Sequence, residues 1–305
     1  MHESVPGAPP RRLFGRLGQG SVLPVLTVVG VILVIWYAAA VMLNAAWALD
    51  QAGRQGVELG LPQLIADTWS QDRPRLPAPH QVVAELRDTT VGVAPSSRRS
   101  LLYHAWVTLS ATLAGFLLGA GLGILLAIAI VHDRTTNASV MPWVIASQTV
   151  PILAIAPMIV VVLNSIGVTG LMPKAIISMY LSFFPVAVGM VKGFRSPDAI
   201  LLDQMRTWNA GPAQTLWKLR FPASLPYLFA SLKVGVAASL VGAIVGELPT
   251  GAVAGLGARM LSGSYYGQTV QIWAALFMAA ILAASLVSAI GLIERGVARA
   301  MGGQA

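Results

Sequence analysis

Cysteine, histidine and carboxylate side chains carry most protein chemistry, and this sequence uses them sparingly. It has no cysteine, which removes disulfides, thiolate metal sites and cysteine nucleophiles. Its four histidines, His2, His80, His104 and His132, stand singly, with no His-Glu-x-x-His pair to hold zinc. No Gly-x4-Gly-Lys-Ser/Thr loop is present, so the backbone cradle that ATP hydrolysis requires is not encoded. What remains is a set of polar residues in apolar surroundings: Gln148 and Thr149 between Pro142, Pro151 and Pro157, then Asn164, Lys174, Lys233 and Glu247. Such residues mark a solute pathway or hydrogen-bond a neighbouring helix, and for Gln148, Thr149 and Asn164 both readings stand. Glu247 has three: it lines an outer gate, meets a protein partner, or is solvated at the membrane interface. An intramembrane protease would need a nucleophile with its base, a carboxylate pair or a metal cluster, and no such set is spaced here. An ion-coupled carrier is the alternative transport class, but its coupling charges would have to be Glu247 and Lys233, neither with an evident partner in the sequence.

The densest polar stretch is Asp203-Gln204-Met205-Arg206-Thr207-Trp208-Asn209-Ala210-Gly211-Pro212, continuing to Leu219 and Pro222. Asn209 to Pro212 is turn chemistry. The flanks, 201–208 and 213–219, carry no helix breaker and read as two short amphipathic helices, with Pro222 and Pro226 ending the second. Such a pair buries little apolar surface by itself, so it reads as a docking element.

The elements that must position these residues are membrane helices. Of the 305 residues 56% are hydrophobic and 10% charged; a soluble chain carries roughly 25% charged residues. An all-α membrane protein with about six spans follows, at 22–49, 106–131, 140–163, 171–191, 225–245 and 272–293. The first apolar stretch is far longer than the core of a cleaved signal peptide, so it is expected to be retained. The net charge of +8 resides outside the 50–103 segment, whose six basic and six acidic residues cancel. The excess sits in short pieces holding Arg11, Arg12, Arg16, Arg134, Lys192, Arg195, Arg206, Lys218, Arg220, Arg295 and Arg299. The positive-inside rule then places both termini in the cytoplasm, and membrane orientation accounts for this pattern better than a nucleic-acid surface does. The expected organisation is a cytoplasmic tail (1–21), the first span (22–49) and an extracytoplasmic segment (50–103) with a short surface helix over His80 to Arg87. A five-helix core (104–293) containing the cytoplasmic loop 192–226 follows, then a C-terminal tail (294–305). Gly115, Gly119 and Gly123 recur every four residues and are assigned to close helix packing.

At the 203–222 loop the chain resembles the permease subunits of binding-protein-dependent ABC importers, whose loop reads Glu-Ala-Ala-x3-Gly-x9-Ile-x-Leu-Pro. Asp203 stands for the Glu, Asn209 for the Gly, Leu219 for the Ile, Phe221 for the Leu, and Pro222 is identical. Gln204 and Met205 replace the two alanines; the bulk of Met205 bears on the fit to an ATPase groove, while Asn209 is the best non-glycine choice if the turn needs a positive φ. The Leu76-Pro77-Ala78-Pro79 run, Phe183-Phe184-Pro185, Gly193-Phe194-Arg195, Gly246-Glu247-Leu248 and Gly255-Leu256-Gly257 are similar to the nitrate, sulfonate and taurine branch. The resemblance implies a type I importer fold in the bacterial inner membrane and no cofactor in this chain, ATP being bound by a cytoplasmic ATPase subunit on the loop. It also implies a second permease copy or paralogue, an external solute-binding protein, membrane lipid around the helices, and no nucleic acid. The solute would be a small organic molecule or oxyanion. Gly246 to Gly251 with Gly263-Ser264-Tyr265-Tyr266-Gly267 resembles permeases for pyrimidines or thiamine precursors.

Overall fold

The structure, a computed structural model, describes residues 22–249 and 251–302; the expected tail 1–21, Thr250 and residues 303–305 lie outside the described residues. Helix is the only regular structure among the described residues, and contacts divide the chain into two units, 1–82 and 83–305.

The first unit is organised by α1 (Val22–Gln55), whose 34 residues run past the expected end at 49. At 1.5 Å per residue it is about 51 Å long, more than the hydrocarbon core of a bilayer requires. Its first half exposes apolar side chains such as Val22 and Val34, as a helix solvated by lipid does. Further along, Ala40, Asn44, Ala48 and Ala52 form a buried stripe of small residues. A second helix, α2 (Leu61–Ser70), was not expected from the sequence. Asn44, fully buried, joins these pieces. Its Nδ2 donates to Thr68 O (3.2 Å) and Leu76 O (2.9 Å), and its Oδ1 accepts from Arg75 N (2.8 Å) and Leu76 N (3.2 Å). The amide is thus spent on backbone groups left over by the helices, a last-turn carbonyl of α2 and the 75–76 stretch. The helix α3 (Pro79–Thr90) is longer at both ends than the His80 to Arg87 stretch expected.

The second unit is built on three long helices, α4 (Leu101–His132), α7 (Leu171–Phe194) and α10 (Phe221–Glu247). The central member is α7, which packs closely on both others through small residues. A Cβ on Gly123 of α4 would lie 2.7 Å from Phe183 O and 2.9 Å from Val186 Cβ; one on Gly242 of α10 would lie 2.7 Å from Ser178 Cα. The glycine row in α4 therefore has the packing role assigned to it. A hydroxyl also ties α10 to α4: Ser239 Oγ donates to Thr112 O at 2.8 Å. Phe116, Ile130, Val186, Met190, Phe194, Phe229 and Val236 fill the apolar centre.

The span expected at 140–163, punctuated by Pro142, Pro151 and Pro157, is divided into two helices. The chain forms α5 (Arg134–Ala146) and α6 (Ile152–Ser165) with a break between them. Pro151, which has no N–H to donate, caps α6, and the hydroxyl of Tyr180 on α7 donates to Ser147 O in the break. Asp133 caps α5 by accepting from Thr135 N (3.2 Å), Thr136 N (2.7 Å) and the Thr136 hydroxyl (2.7 Å). Those bonds, the Thr136 hydroxyl first, hold its carboxyl below the ordinary aspartate range. The chain ends with α11 (Leu256–Tyr265) and α12 (Thr269–Ala300), the latter carrying Glu294 seven residues from its end. Among the described residues five helices are long and apolar enough to cross a membrane, with α6 a shorter apolar one.

Candidate functional site

The loop after α7 is a helix–turn–helix, but its second arm does not stop where expected. The first arm is α8 (Ala199–Thr207). It ends in a Schellman motif: Ala210 N donates to Met205 O (3.0 Å) and Asn209 N to Arg206 O (2.9 Å). The residue after the cap must then adopt the left-handed conformation, and Asn209 does so with φ 51°, alone among the described non-glycine residues. This is the position where the resembling loops have glycine, and the backbone explains why asparagine can replace it. Gly211 and Pro212 open the second arm, α9 (Pro212–Thr215), with Gly211 N donating to the Gln214 side chain at 3.2 Å.

A π-helical turn (Leu216–Arg220) then feeds directly into α10, so Pro222 and Pro226 do not end the arm. Pro222 sits within the first turn of α10, where a missing N–H is tolerated, and Phe221 N reaches back five residues to Leu216 O. Arg220 Nη1 donates to Phe194 O (2.8 Å), fixing this turn to the end of α7.

The side chains of the loop divide sharply. Met205 and Leu216 are buried, so the bulk of Met205 faces the protein's own interior. Leu219 and Pro222 are half-buried. Asp203, Gln204, Arg206, Asn209, Gly211 and Pro212 are exposed and Ala210 is half-buried, with Asp203 and Arg206 paired at 2.9 Å. Ile200 (79% exposed), Trp208 (67%) and Trp217 (60%) project large apolar surfaces from the same loop. Rigid backbone presenting exposed aromatic surface is the signature of a contact site.

The other candidates are not brought together. Gln148 and Thr149 lie exposed in the break before α6, bonded locally to Ser147 Oγ (3.3 Å) and Ala146 O (2.8 Å). Asn164 is near the other end of α6, about 18 Å along its axis. There it lines a cavity of about 540 Å³ with Tyr103, Ser110, Thr169 and Lys174.

Glu247 is fully buried, which removes the reading that it is solvated at an interface. It belongs to a polar hub that sequence reasoning missed. Glu247 Oε1 accepts from Thr108 Oγ1 and Oε2 from Gly257 N, at 2.8 and 2.7 Å. Thr108 Oγ1 accepts from Leu256 N (2.8 Å), and His104 Nδ1 accepts from Gly255 N (3.0 Å). An Nδ1 that accepts leaves the ring proton on Nε2, which donates to Arg98 O at 2.9 Å. Gly255 (φ 130°) has to be glycine: a Cβ there would run into the Glu247 carboxylate. The similarity at 255–257 was noticed in the sequence, but its partners lie some 150 residues earlier in α4. Lys233 also has a partner, Glu294 on α12, which the expected span boundary at 293 had left outside the membrane. Among the described residues no group of His, Cys, Asp or Glu could hold a metal ion.

Membrane-length helices joined by a capped, exposed helix–turn–helix are the architecture of a membrane-embedded component. The profile of the binding-protein-dependent transport system inner membrane component family matches residues 119–302, and the chain belongs to that family. It is thus a multi-pass inner-membrane permease subunit of an ABC importer, with no catalytic activity or cofactor of its own. The chain is 31% identical to a probable ABC transporter permease protein of Haemophilus influenzae, covering 73% of this chain and 86% of the relative. It is 31% identical to the formylaminopyrimidine transport permease protein of Halalkalibacterium halodurans (60% and 68% covered). It is also 26% identical to a putative aliphatic sulfonates transport permease protein of Bacillus subtilis (72% and 76%).

Proposed function

We propose that this chain, paired with a second copy or a paralogue, forms the path by which a small organic or oxyanion solute crosses the inner membrane. In this reading an external binding protein delivers the solute and a cytoplasmic ATPase docks on the loop from Asp203 to Pro222. The observation that carries it is the loop itself: a Schellman cap at Asn209 and a fixed π turn hold exposed Ile200, Trp208 and Trp217 at one end of the bundle. That end also holds Lys192, Arg195, Arg206, Lys218 and Arg220, which supports its placement in the cytoplasm. The chain would supply the binding surface and the moving helices, and the ATPase the hydrolysis. The ATPase is expected to push on α8, and the force to enter α10 through the turn that Arg220 fixes to α7.

The solute field is narrowed by resemblance. The segments 246–251 and 263–267, together with the name of the Halalkalibacterium relative, favour a pyrimidine-like or thiamine-precursor-like solute. Co-purification from membranes, with and without a charge-reversing, turn-breaking change over 209–212, tests the docking site. An ATPase subunit retained by the intact chain and lost from the altered one is expected. Absence of an ATPase from both would sink the importer mechanism and leave an ion-coupled carrier to be tested.

A further inference from the structure

The cavity of about 540 Å³ beside Asn164 has a chemistry that neither the loop nor the polar hub explains. Its volume is in the range of small-ligand sites. It is walled by the first turns of α4 (Tyr103, Ser110), the end of α6 (Asn164), Thr169 before α7, Lys174 at the start of α7 and the 252–254 segment. Among the described residues Lys174 is the one charged residue lining it, and it is 8% exposed. Among the described residues its ammonium makes a single hydrogen bond, to Ala254 O at a long 3.4 Å. An ammonium has three donors, so two are left for whatever fills the cavity. The Lys174 charge also acts on Glu247, whose carboxylate accepts from Thr108 and Gly257.

A second feature points the same way. Lys174 lies in the first turns of α7, whose preceding residue, Gly170 (φ 76°), offers no side-chain cap. The Leu171 and Met172 N–H groups have no carbonyl a turn earlier within the helix, and Gly170 and Leu171 both line the cavity. The positive end of a 24-residue helix and a buried ammonium therefore face one space. The Tyr103 hydroxyl and the Asn164 amide, neither hydrogen-bonded to another described side chain, add donors at its wall.

We infer that this cavity is an oxyanion subsite of the transport path, in which Lys174 and the α7 N-terminus receive the sulfonate, carboxylate or phosphate group of the solute. The inference rests on the importer reading and narrows it to solutes that carry an acid group, acid-bearing pyrimidines included. A phospholipid phosphate has the same chemistry, and the test separates the two sources.

The purified chain in phosphatidylcholine nanodiscs is titrated with ethanesulfonate and with its neutral isostere ethanesulfonamide, followed by saturation-transfer NMR. Ethanesulfonate is expected to bind and the amide not to. Losing a charge-assisted contact should make Lys174→Gln at least about tenfold weaker, while Lys174→Arg keeps most of the affinity. Thermal unfolding of each variant in the same nanodiscs checks that the fold is intact. Equal binding of the two probes, no binding of either, or an intact Lys174→Gln protein with unchanged affinity would overturn the subsite. Adding phosphatidylglycerol should leave ethanesulfonate binding in place; displacement of ethanesulfonate from the parent protein by that lipid assigns the site to lipid and overturns the solute role. Because the titration reads the chain alone, it decides the subsite even if no ATPase associates, which is the separate failure of the importer reading.

Discussion

Replacing Thr108 by valine keeps the shape of the side chain and removes one hydroxyl, so it isolates what the buried hub contributes. In the structure that hydroxyl donates to Glu247 Oε1 and accepts from Leu256 N, both at 2.8 Å and both fully buried. Valine leaves a carboxylate oxygen and a backbone N–H without this partner where water does not reach. Each orphaned group is worth about 1–3 kcal/mol, more for the charged one, so the expected loss is roughly 2–5 kcal/mol. For a chain of this size that corresponds to a fall in Tm of roughly 5 °C or more. Thr108→Ser retains the hydroxyl and loses one methyl, so it should stay within about 1–1.5 kcal/mol of the parent. The assay is thermal unfolding of the purified chain in one detergent, with the three proteins side by side. If Thr108→Val melts with the parent, or if Thr108→Ser falls as far as Thr108→Val, the hydrogen bonds are not what holds the 255–257 segment.

Gly123→Val should lower yield and Tm strongly, because its Cβ would meet Phe183 O at 2.7 Å and backbone cannot rotate away; overpacking of this kind is worth about 1–3 kcal/mol or more. Gly121→Ala, in the same helix with open space around it, should be neutral or gain up to about 1 kcal/mol in the same melt. At the loop, Asn209→Gly should keep ATPase co-purification, whereas Asn209→Val should weaken it, since a β-branched residue at φ 51° is strained by about 1–2 kcal/mol. Asp133 has its carboxyl held below the ordinary 3.8 by the Thr136 hydroxyl and two backbone N–H groups, so its contribution is present above that value and is lost as the pH falls through the lowered one. The difference in Tm between parent and Asp133→Ala should therefore be constant from about pH 5 upward and close in acid.

The long helices were legible because apolar length is a local property: the runs in α4, α7, α10 and α12 announce themselves without any knowledge of their neighbours. The loop was legible for a related reason. Turn residues at Asn209 to Pro212 encode their own backbone, and the Schellman bonds close within six residues. Some local signals were passed over. Leu61, Leu64, Ile65, Thr68 and Trp69 have helical spacing and form α2, yet the prolines nearby drew attention to extended chain. Pro222 and Pro226 do not stop the helix as expected, since Pro222 lies in the first turn of α10 and Pro226 within the helix, while Pro151 opens α6 after the break. The pairings of His104 with Gly255, Thr108 with Leu256 and Lys233 with Glu294 could not be read, because nothing local distinguishes a histidine near a span end from one that accepts a backbone N–H from a segment 151 residues away.

Those distant pairings bear on the mechanism, because they place both proposed sites on one element. At one end α10 begins at the π turn of the docking loop, where Arg220 bonds to Phe194 O. At the other it ends at Glu247, which holds Gly257 and, through Thr108, Leu256. The segment leading into those residues, 252–254, is a wall of the Lys174 cavity, and Ala254 O is the acceptor of the Lys174 ammonium. The 27 residues of α10 span about 39 Å, and its close packing on α7 leaves little room for bending between the ends. A displacement of the loop by a docked ATPase then has a short physical route to the cavity: it must either shear the α7–α10 seam or carry the 252–257 segment with it. Small residues at Gly189, Gly193, Gly235 and Gly242 make the seam close but also smooth, without large side chains that would have to climb over one another. The buried hub thereby acquires a meaning beyond stability. In the proposed mechanism, its bonds to Gly257 and Leu256 are what would carry the cavity wall along with α10.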